Sequence, residues 1–332
     1  MNYIGSKYKL SDFIKSSVYT TVGNDLHNKV FCDLFAGTGI IGRVFKPEVA
    51  KVVSNDLEFY SYVLNRNYIG NTKAFEYEEL LNELNDLQGV EGFIYHQYSE
   101  NGNAGRLYFK EENGKKIDAI RQKIQQWKLW KYITDDQYYF LLCSLLESAD
   151  KVANTASVYG AFLKHIKKSA QKDFLLEPAV FPESGQHNEI YNTDGNELIK
   201  KIEGDILYLD PPYNAREYGA NYHLLNTIAK YDNFVPKGKT GLRNYGKSSY
   251  CKKNEVAPKF EELIKNADFK YIFLSYNNEG LMSSELIKNI LSKYGKYDLF
   301  EKEYQRFRAD KEENRNHKSG STVEYLHVLE KN

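Results

Sequence analysis

Val30-Phe31-Cys32-Asp33-Leu34-Phe35-Ala36-Gly37-Thr38-Gly39-Ile40-Ile41-Gly42-Arg43-Val44-Phe45 decides the fold. A short apolar run ends in a glycine-rich turn and passes into a helical pattern, which reads as strand, loop and helix. The next stretch repeats the arrangement. Lys51-Val52-Val53-Ser54-Asn55-Asp56 is a second short strand that ends on an acid and leads into an expected helix from Glu58 to Tyr68. Two such units in succession open a doubly wound α/β sheet.

Further along, strand patterns return at Gly204–Asp210 and Phe269–Ser275. A last pair, about Tyr297–Tyr304 and Thr322–Leu329, predicts an antiparallel hairpin at the sheet edge. Between the second strand and this continuation the pattern is helical, at about Tyr77–Leu87, Lys115–Tyr132 and Asp136–Val152. At 332 residues the chain exceeds a typical single domain. The expected organisation is a catalytic domain of residues 1–71 and 190–332, interrupted by a mainly helical domain over residues 72–189. The long excursion from Asn214 to Pro258 is of the kind that serves function or moves.

Lys plus Arg and Asp plus Glu both number 45, so net charge is zero and any nucleic-acid surface must be local. The 28 tyrosines and 18 phenylalanines are mostly core and half-buried surface. Cys32, Cys143 and Cys251 are widely spaced, which predicts a reducing compartment with neither a disulfide framework nor a zinc site. No apolar run approaches a membrane span and the first residues carry no signal region, so a soluble cytoplasmic protein without a bound metal is expected.

Asp210-Pro211-Pro212-Tyr213 follows the apolar run Ile206-Leu207-Tyr208-Leu209. Proline fixes φ and removes a backbone donor, so the loop is stiff and its carbonyls point outward. The Asp210 carboxylate and the Pro211 carbonyl form an acceptor pair beside the flat Tyr213 ring, which suits an aromatic amine. The Gly37–Gly39 turn lets a ligand approach backbone atoms that a Cβ would block. It lacks the dinucleotide and P-loop spacings, so phosphate cradling is not expected. Asp56, at the tip of the second strand, stands where an acid takes a ribose diol in doubly wound folds. Together these features suggest a nucleoside cofactor without phosphate, S-adenosylmethionine.

With these motifs the chain resembles the alpha group of amino-methylating DNA methyltransferases, the Dam-like adenine enzymes found with bacterial restriction systems. Four segments carry the resemblance, in the family's order: Tyr3-Ile4-Gly5-Ser6-Lys7-Tyr8, Phe35-x-Gly37-x-Gly39, Asp56, and Asp210-Pro211-Pro212-Tyr213. Ser6 departs from the family's second glycine. The resemblance covers about residues 1–70 and 190–332 and implies a Rossmann-like methyltransferase sheet. It implies that Tyr3 and Lys7 fold over the cofactor, Lys7 toward the methionine carboxylate. Phe35 should pack on the cofactor, Gly37 and Gly39 admit it and Asp56 hold the ribose, with Asp33, Ala36 and Asp210 completing the contacts. Asp194 matches the acid that takes the adenine amine, and a turn or helix cap is its alternative.

The base must leave the duplex to be reached, so base flipping with stacking on Tyr213 is expected. From Pro236 to Lys253 the chain carries Lys237, Lys239, Arg243, Lys247, Lys252 and Lys253 and no acid, with Tyr245 and Tyr250 interleaved. This stretch, with Lys164 and Lys168 from a second basic cluster, is the expected DNA footprint. Residues Asn214–Gly219 and Asn221-Tyr222-His223 are expected to close over the flipped base or fill its gap. The expected activity is thus methylation of adenine in double-stranded DNA, by a monomer on DNA, paired with a restriction endonuclease in a bacterial cytoplasm. Methylation of the cytosine amine is the nearest alternative, followed by RNA or protein glutamine as acceptor. A cofactor-free nucleic-acid-binding module would leave the motifs unexplained.

Overall fold

The structure is a computed structural model and describes residues 7–213, 217–305 and 321–332. Two compact units emerge: one of Ser6–Leu57, Gln186–Glu217 and Lys247–Asn332, the other of Glu58–Gly185 and Tyr218–Gly246.

The first unit is built on a seven-stranded sheet of β1 (Val30–Asp33), β2 (Lys51–Asn55), β3 (Glu189–Tyr191), β4 (Glu203–Leu209), β5 (Asp268–Asn277), β6 (Gly295–Gln305) and β7 (Ser321–Lys331). Their order across the sheet is β3-β2-β1-β4-β5-β7-β6. The first five run parallel, and β7 lies antiparallel to both β5 and β6. The expected α/β sheet with an antiparallel edge hairpin is therefore present, each strand within a few residues of its expected place. Only β3 has no counterpart in the sequence reading; three residues with intermediate burial make no alternation.

Strand order reverses between β1 and β4, which pair with Asp33 opposite Tyr208. Ligands of open α/β sheets gather beyond the carboxyl ends of the strands at such a switch. The apolar residues that make β1, β4 and β5 near-continuous hydrophobic runs are buried on both faces, as parallel strands require. The helix Val256–Asn266 covers one side through Phe260, Leu263 and Ile264, all in the same core cluster as Leu207, Leu209 and Leu274.

The second unit is helical and larger than expected from the sequence. Phe59–Asn65, expected to be the crossover helix of the second strand unit, instead buries Tyr60, Val63 and Leu64 in the helical core beside Tyr222, Leu225 and Ile228. Residues 218–246 join it as well. Its long helices are Glu111–Leu129 and Asp135–Val152. The second starts at a capping box, where Thr134 accepts from the Gln137 N–H and Gln137 from the Thr134 N–H. Among the described residues no helix is long and apolar enough to cross a membrane.

Candidate active site

The glycine turn after β1 needs left-handed backbone at Gly37 (φ 53°) and Gly39 (φ 73°), which glycine adopts without strain. Gly39 N–H closes the turn on the Ala36 carbonyl at 2.7 Å, and Ala36 N–H is held by the Asn55 carbonyl at 2.9 Å. Asp56 Oδ2 accepts the Gly37 N–H at 2.8 Å, so the acid at the β2 tip and the glycine turn are one assembly. Asp33 is buried. Its Oδ2 accepts the Gly42 N–H at 3.1 Å, whereas Oδ1 has no hydrogen-bond partner among the described residues. Burial pushes the Asp33 carboxyl up to about 8; the Gly42 N–H opposes this and the charges of Asp210 and Asp56 reinforce it.

Asp194 follows β3 and caps the helix Gly195–Leu198, accepting from Asn196 N–H at 2.9 Å and Glu197 N–H at 3.2 Å. Both bonds use Oδ1, so the cap and a ligand role through Oδ2 are compatible. The Phe35 ring lies over Gly195, where an added Cβ would stand 3.2 Å from it. It also meets Tyr250 edge-on at 5.2 Å. Tyr250 is buried there, donating its hydroxyl to Asn196 Oδ1 at 2.8 Å. It is thus packed inward against Phe35 and Asn196 and not a DNA-facing residue; its interleaving with lysines is a surface pattern that the fold does not use.

At the β4 tip Asp210 is half-buried and Lys7 is buried, with Lys7 Nζ 3.3 Å from Asp210 Oδ1 and 2.8 Å from Glu324 Oε1. Ser275 Oγ donates to that same Glu324 oxygen at 2.7 Å. Lys7 Nζ also sits 5.3 Å from the centre of the Tyr213 ring. Tyr213 is held edge-on to Tyr276 at 5.6 Å, and its carbonyl accepts the Leu281 N–H at 2.9 Å. Burial pushes the Asp210 carboxyl up to about 7; Lys7 pulls it down and Glu324 adds to the rise. Burial works against the Lys7 charge, but Asp210 and Glu324 outweigh it and hold the ammonium well above the ordinary lysine value.

Asp33, Phe35, Asp56, Asp194 and Asp210 thus stand together at the carboxyl ends of β1 to β4. Tyr3 lies outside the described residues, as do Asn214 to Arg216. Lys7 is joined to the Asp210 segment and to Glu324, a residue absent from the sequence reading. The signal for Glu324 was available: a carboxylate set between Val323 and the mostly apolar run Tyr325-Leu326-His327-Val328-Leu329. Asn55 and Ser275 were also missed, because a buried amide or hydroxyl in a strand has no distinctive spacing.

The basic candidates are divided between the units. Lys237 and Lys239 are exposed on a tight turn closed by mutual backbone bonds between Lys237 and Leu242, at 2.9 and 2.8 Å. Arg106 donates to the Lys239 and Gly238 carbonyls, both at 3.2 Å, and Tyr98 to the Gly241 carbonyl at 2.6 Å. Arg243 is instead a structural residue, bidentate on Asp232 at 2.7 and 2.8 Å and over the Phe234 ring. Lys252 pairs with Glu255 at 3.0 Å, whereas Lys247 is exposed. Lys164 and Lys168 are exposed on irregular backbone. Tyr222 and His223 are fully buried in the helical core, His223 Nε2 lying 3.0 Å from the Tyr159 carbonyl, so neither closes over a base.

A model of the D12 class N6 adenine-specific DNA methyltransferases matches residues 3–318. The chain is 61% identical over 332 residues to the type II methyltransferase M.NlaIII of Neisseria lactamica, covering 100% of this chain and 99% of that one. It is 40% identical over 313 residues to the type II methyltransferase M.CviAII of Paramecium bursaria Chlorella virus 1, covering 93% of each. The type II methyltransferase M.FokI of Planomicrobium okeanokoites is 38% identical over 347 residues, with 100% of this chain matching 53% of that longer protein. By its strand order, its motifs and this match along nearly its whole length, the chain belongs to the D12 class of N6 adenine-specific DNA methyltransferases.

Proposed function

We propose that the chain uses S-adenosylmethionine to methylate N6 of an adenine flipped out of a duplex target, as the modification partner of a restriction endonuclease. The observation that carries this is the gathering of Asp33, Asp56, Asp194 and Asp210 at the ends of adjacent parallel strands. Asp56 and the Gly37–Gly39 turn suit a ribose diol, and Asp194 Oδ2 with Phe35 suits an adenine amine and ring. The buried Asp33 Oδ1, without a partner among the described residues, offers a hydrogen-bonding position to the cofactor's polar end. The residues therefore fit S-adenosylmethionine, which when bound supplies a methyl group on a sulfonium sulfur and leaves as the thioether.

The rest of the chemistry falls to the chain. The amine lone pair of adenine is delocalised into the ring, so the nitrogen is a poor nucleophile. Asp210 and the Pro211 carbonyl accept its two N–H groups and favour a pyramidal nitrogen with its lone pair free. Tyr213, fixed by Tyr276 and Leu281, stacks on the base. When the methyl carbon bonds to N6, positive charge arises there, and the Asp210 carboxylate stabilises it through a fixed, partly dry contact. An Asp210 carboxyl with a value of about 7 can then take the proton that N6 sheds and return it to water. Positioning supplies the remainder of the acceleration.

For DNA, the exposed Lys237 and Lys239, with Lys164, Lys168 and Lys247, are the phosphate contacts, and the helical unit carries target recognition. The partner endonuclease follows from the relatives, which are named as type II methyltransferases. Incubating the protein with unmethylated genomic DNA and methyl-labelled S-adenosylmethionine, then digesting to nucleosides, tests this directly. Label in N6-methyldeoxyadenosine is expected; label confined to cytosine or to RNA would overturn it.

A further inference from the structure

We infer that Glu324 is a positioning residue for methyl transfer: it draws the Lys7 ammonium to itself and so leaves Asp210 open to the target amine. This rests on the Asp210 role proposed above. Lys7 Nζ lies nearer Glu324 Oε1, at 2.8 Å, than Asp210 Oδ1, at 3.3 Å. Ser275 on β5 donates to the same glutamate oxygen at 2.7 Å and fixes it, while backbone register sets Glu324 opposite Asn277. Lys7 and Glu324 side chains are only 5% and 2% exposed. Removing such a charge pair from water is costly, and apolar residues of similar volume would stabilise a core as well. A role beyond stability is the economical explanation for keeping it.

The charge balance supplies that role. The groups around Asp210 are Lys7 from the N-terminal segment, Asp33 at the β1 tip, Tyr208 on β4, Tyr213 in its own loop, and Glu324 on β7. Burial keeps the Tyr208 phenol neutral, and Asp33 at about 8 is largely protonated near neutral pH. Once Asp210 ionises, above about pH 7, one ammonium shared by two carboxylates leaves the cluster one charge negative, facing the nitrogen where positive charge develops. Without Glu324, Lys7 would pair with Asp210 alone. The cluster would become neutral, and the acceptor needed by the amine would be occupied.

The test compares Glu324→Gln and Ser275→Ala with the wild type, using labelled methyl transfer to unmethylated genomic DNA across the pH range. Glu324→Gln should lower kcat roughly 10-fold or more. KM for DNA and the calorimetric Kd for S-adenosylmethionine should stay near wild type. Its acid limb should move to lower pH, because a negative neighbour that raises Asp210 is gone. Ser275→Ala keeps the charge but loosens its position, so kcat should fall by a smaller factor with the limb unmoved. A folded Glu324→Gln enzyme with wild-type kcat and limb overturns the inference. So does one that loses kcat and cofactor affinity together with an unshifted limb, the signature of general disruption. If Glu324→Gln does not fold, wild-type kcat in Ser275→Ala overturns it. None of these results touches the parent proposal, which stands or falls on the labelled nucleoside and on Asp210→Ala.

Discussion

The Asn55 side chain holds Thr193 from both sides, accepting the Thr193 N–H on Oδ1 and donating Nδ2 to the Thr193 carbonyl, each at 3.1 Å. The same Nδ2 donates to the Leu34 carbonyl at 3.0 Å. One buried amide therefore joins the ends of β1 and β2 to the segment after β3. Asp33, Asp56 and Asp194 are the residues beside those three points, so Asn55 sets their spacing. Asn55→Leu keeps the branched shape and removes every side-chain bond. It should cost about 1–3 kcal/mol of stability, since the Thr193 and Leu34 groups are left without their partner. It should also weaken S-adenosylmethionine binding by roughly 10-fold. Denaturant unfolding and titration calorimetry measure the two effects; unchanged cofactor affinity would show that the strand ends need no such brace.

Asp210→Ala should lower kcat by a factor on the order of 100–1000 while DNA affinity stays near wild type, since the lost contact belongs to the transition state. Anisotropy with labelled duplex DNA separates the two quantities. Near-normal turnover in this variant would remove Asp210 from the chemistry.

Wild-type kcat should rise with pH through about 7, as Asp210 passes from carboxylic acid to the carboxylate that accepts the amine. A profile flat from about pH 5.5 to 8.5 would contradict an essential carboxylate with a raised value.

Asp33 makes a different, thermodynamic prediction. Its folded value of about 8 lies far above that of an unfolded aspartate, about 3.9. The folded state therefore favours the protonated form. The stability contributed by that preference is complete below about pH 4 and is lost as pH rises through about 8. Asp33→Asn cannot ionise, and its amide oxygen can still accept the Gly42 N–H. It should gain on the wild type in unfolding free energy as pH rises across that window. Unfolding curves at both ends check the sign, and a pH-independent difference would show that Asp33 is not raised.

Lys237→Ala with Lys239→Ala should weaken DNA binding without changing kcat at saturating DNA, and should reduce the salt slope of log K by about 0.9 per lost phosphate contact. Arg243→Ala should behave otherwise. Its guanidinium is engaged by Asp232 and Phe234, so the loss should appear as about 1–2 kcal/mol of stability. An unchanged salt slope in the double lysine variant would place the DNA elsewhere.

The sheet was legible in the sequence because strand and helix periods, glycine turns and strand-terminal acids are local signals. Val30–Phe45 and Lys51–Asp56 carry them in full, and the Asp210–Tyr213 loop is stiff whatever surrounds it. The limits of the helical unit were not legible. The apolar face of Phe59–Asn65 would serve equally well against the sheet or against Tyr222 and Ile228, and period alone does not choose. Arg243, Lys252 and Tyr250 of the basic stretch were misread for a related reason. Composition counts charges, but ion pairs to Asp232 and Glu255, just outside it, and the inward turn of Tyr250 are matters of packing.

By itself, then, the sequence determined the α/β class, the acids at the strand tips and the stiff Asp210–Tyr213 loop, all properties of contiguous residues. Only the tertiary structure decided what surrounds Asp210. Lys7 and Glu324 meet there from opposite ends of the chain, and Ser275 on β5 donates to the same glutamate oxygen. A carboxylate's ionisation depends on burial and on neighbouring charge, and neither is set until β7, which carries Glu324, pairs antiparallel with β5.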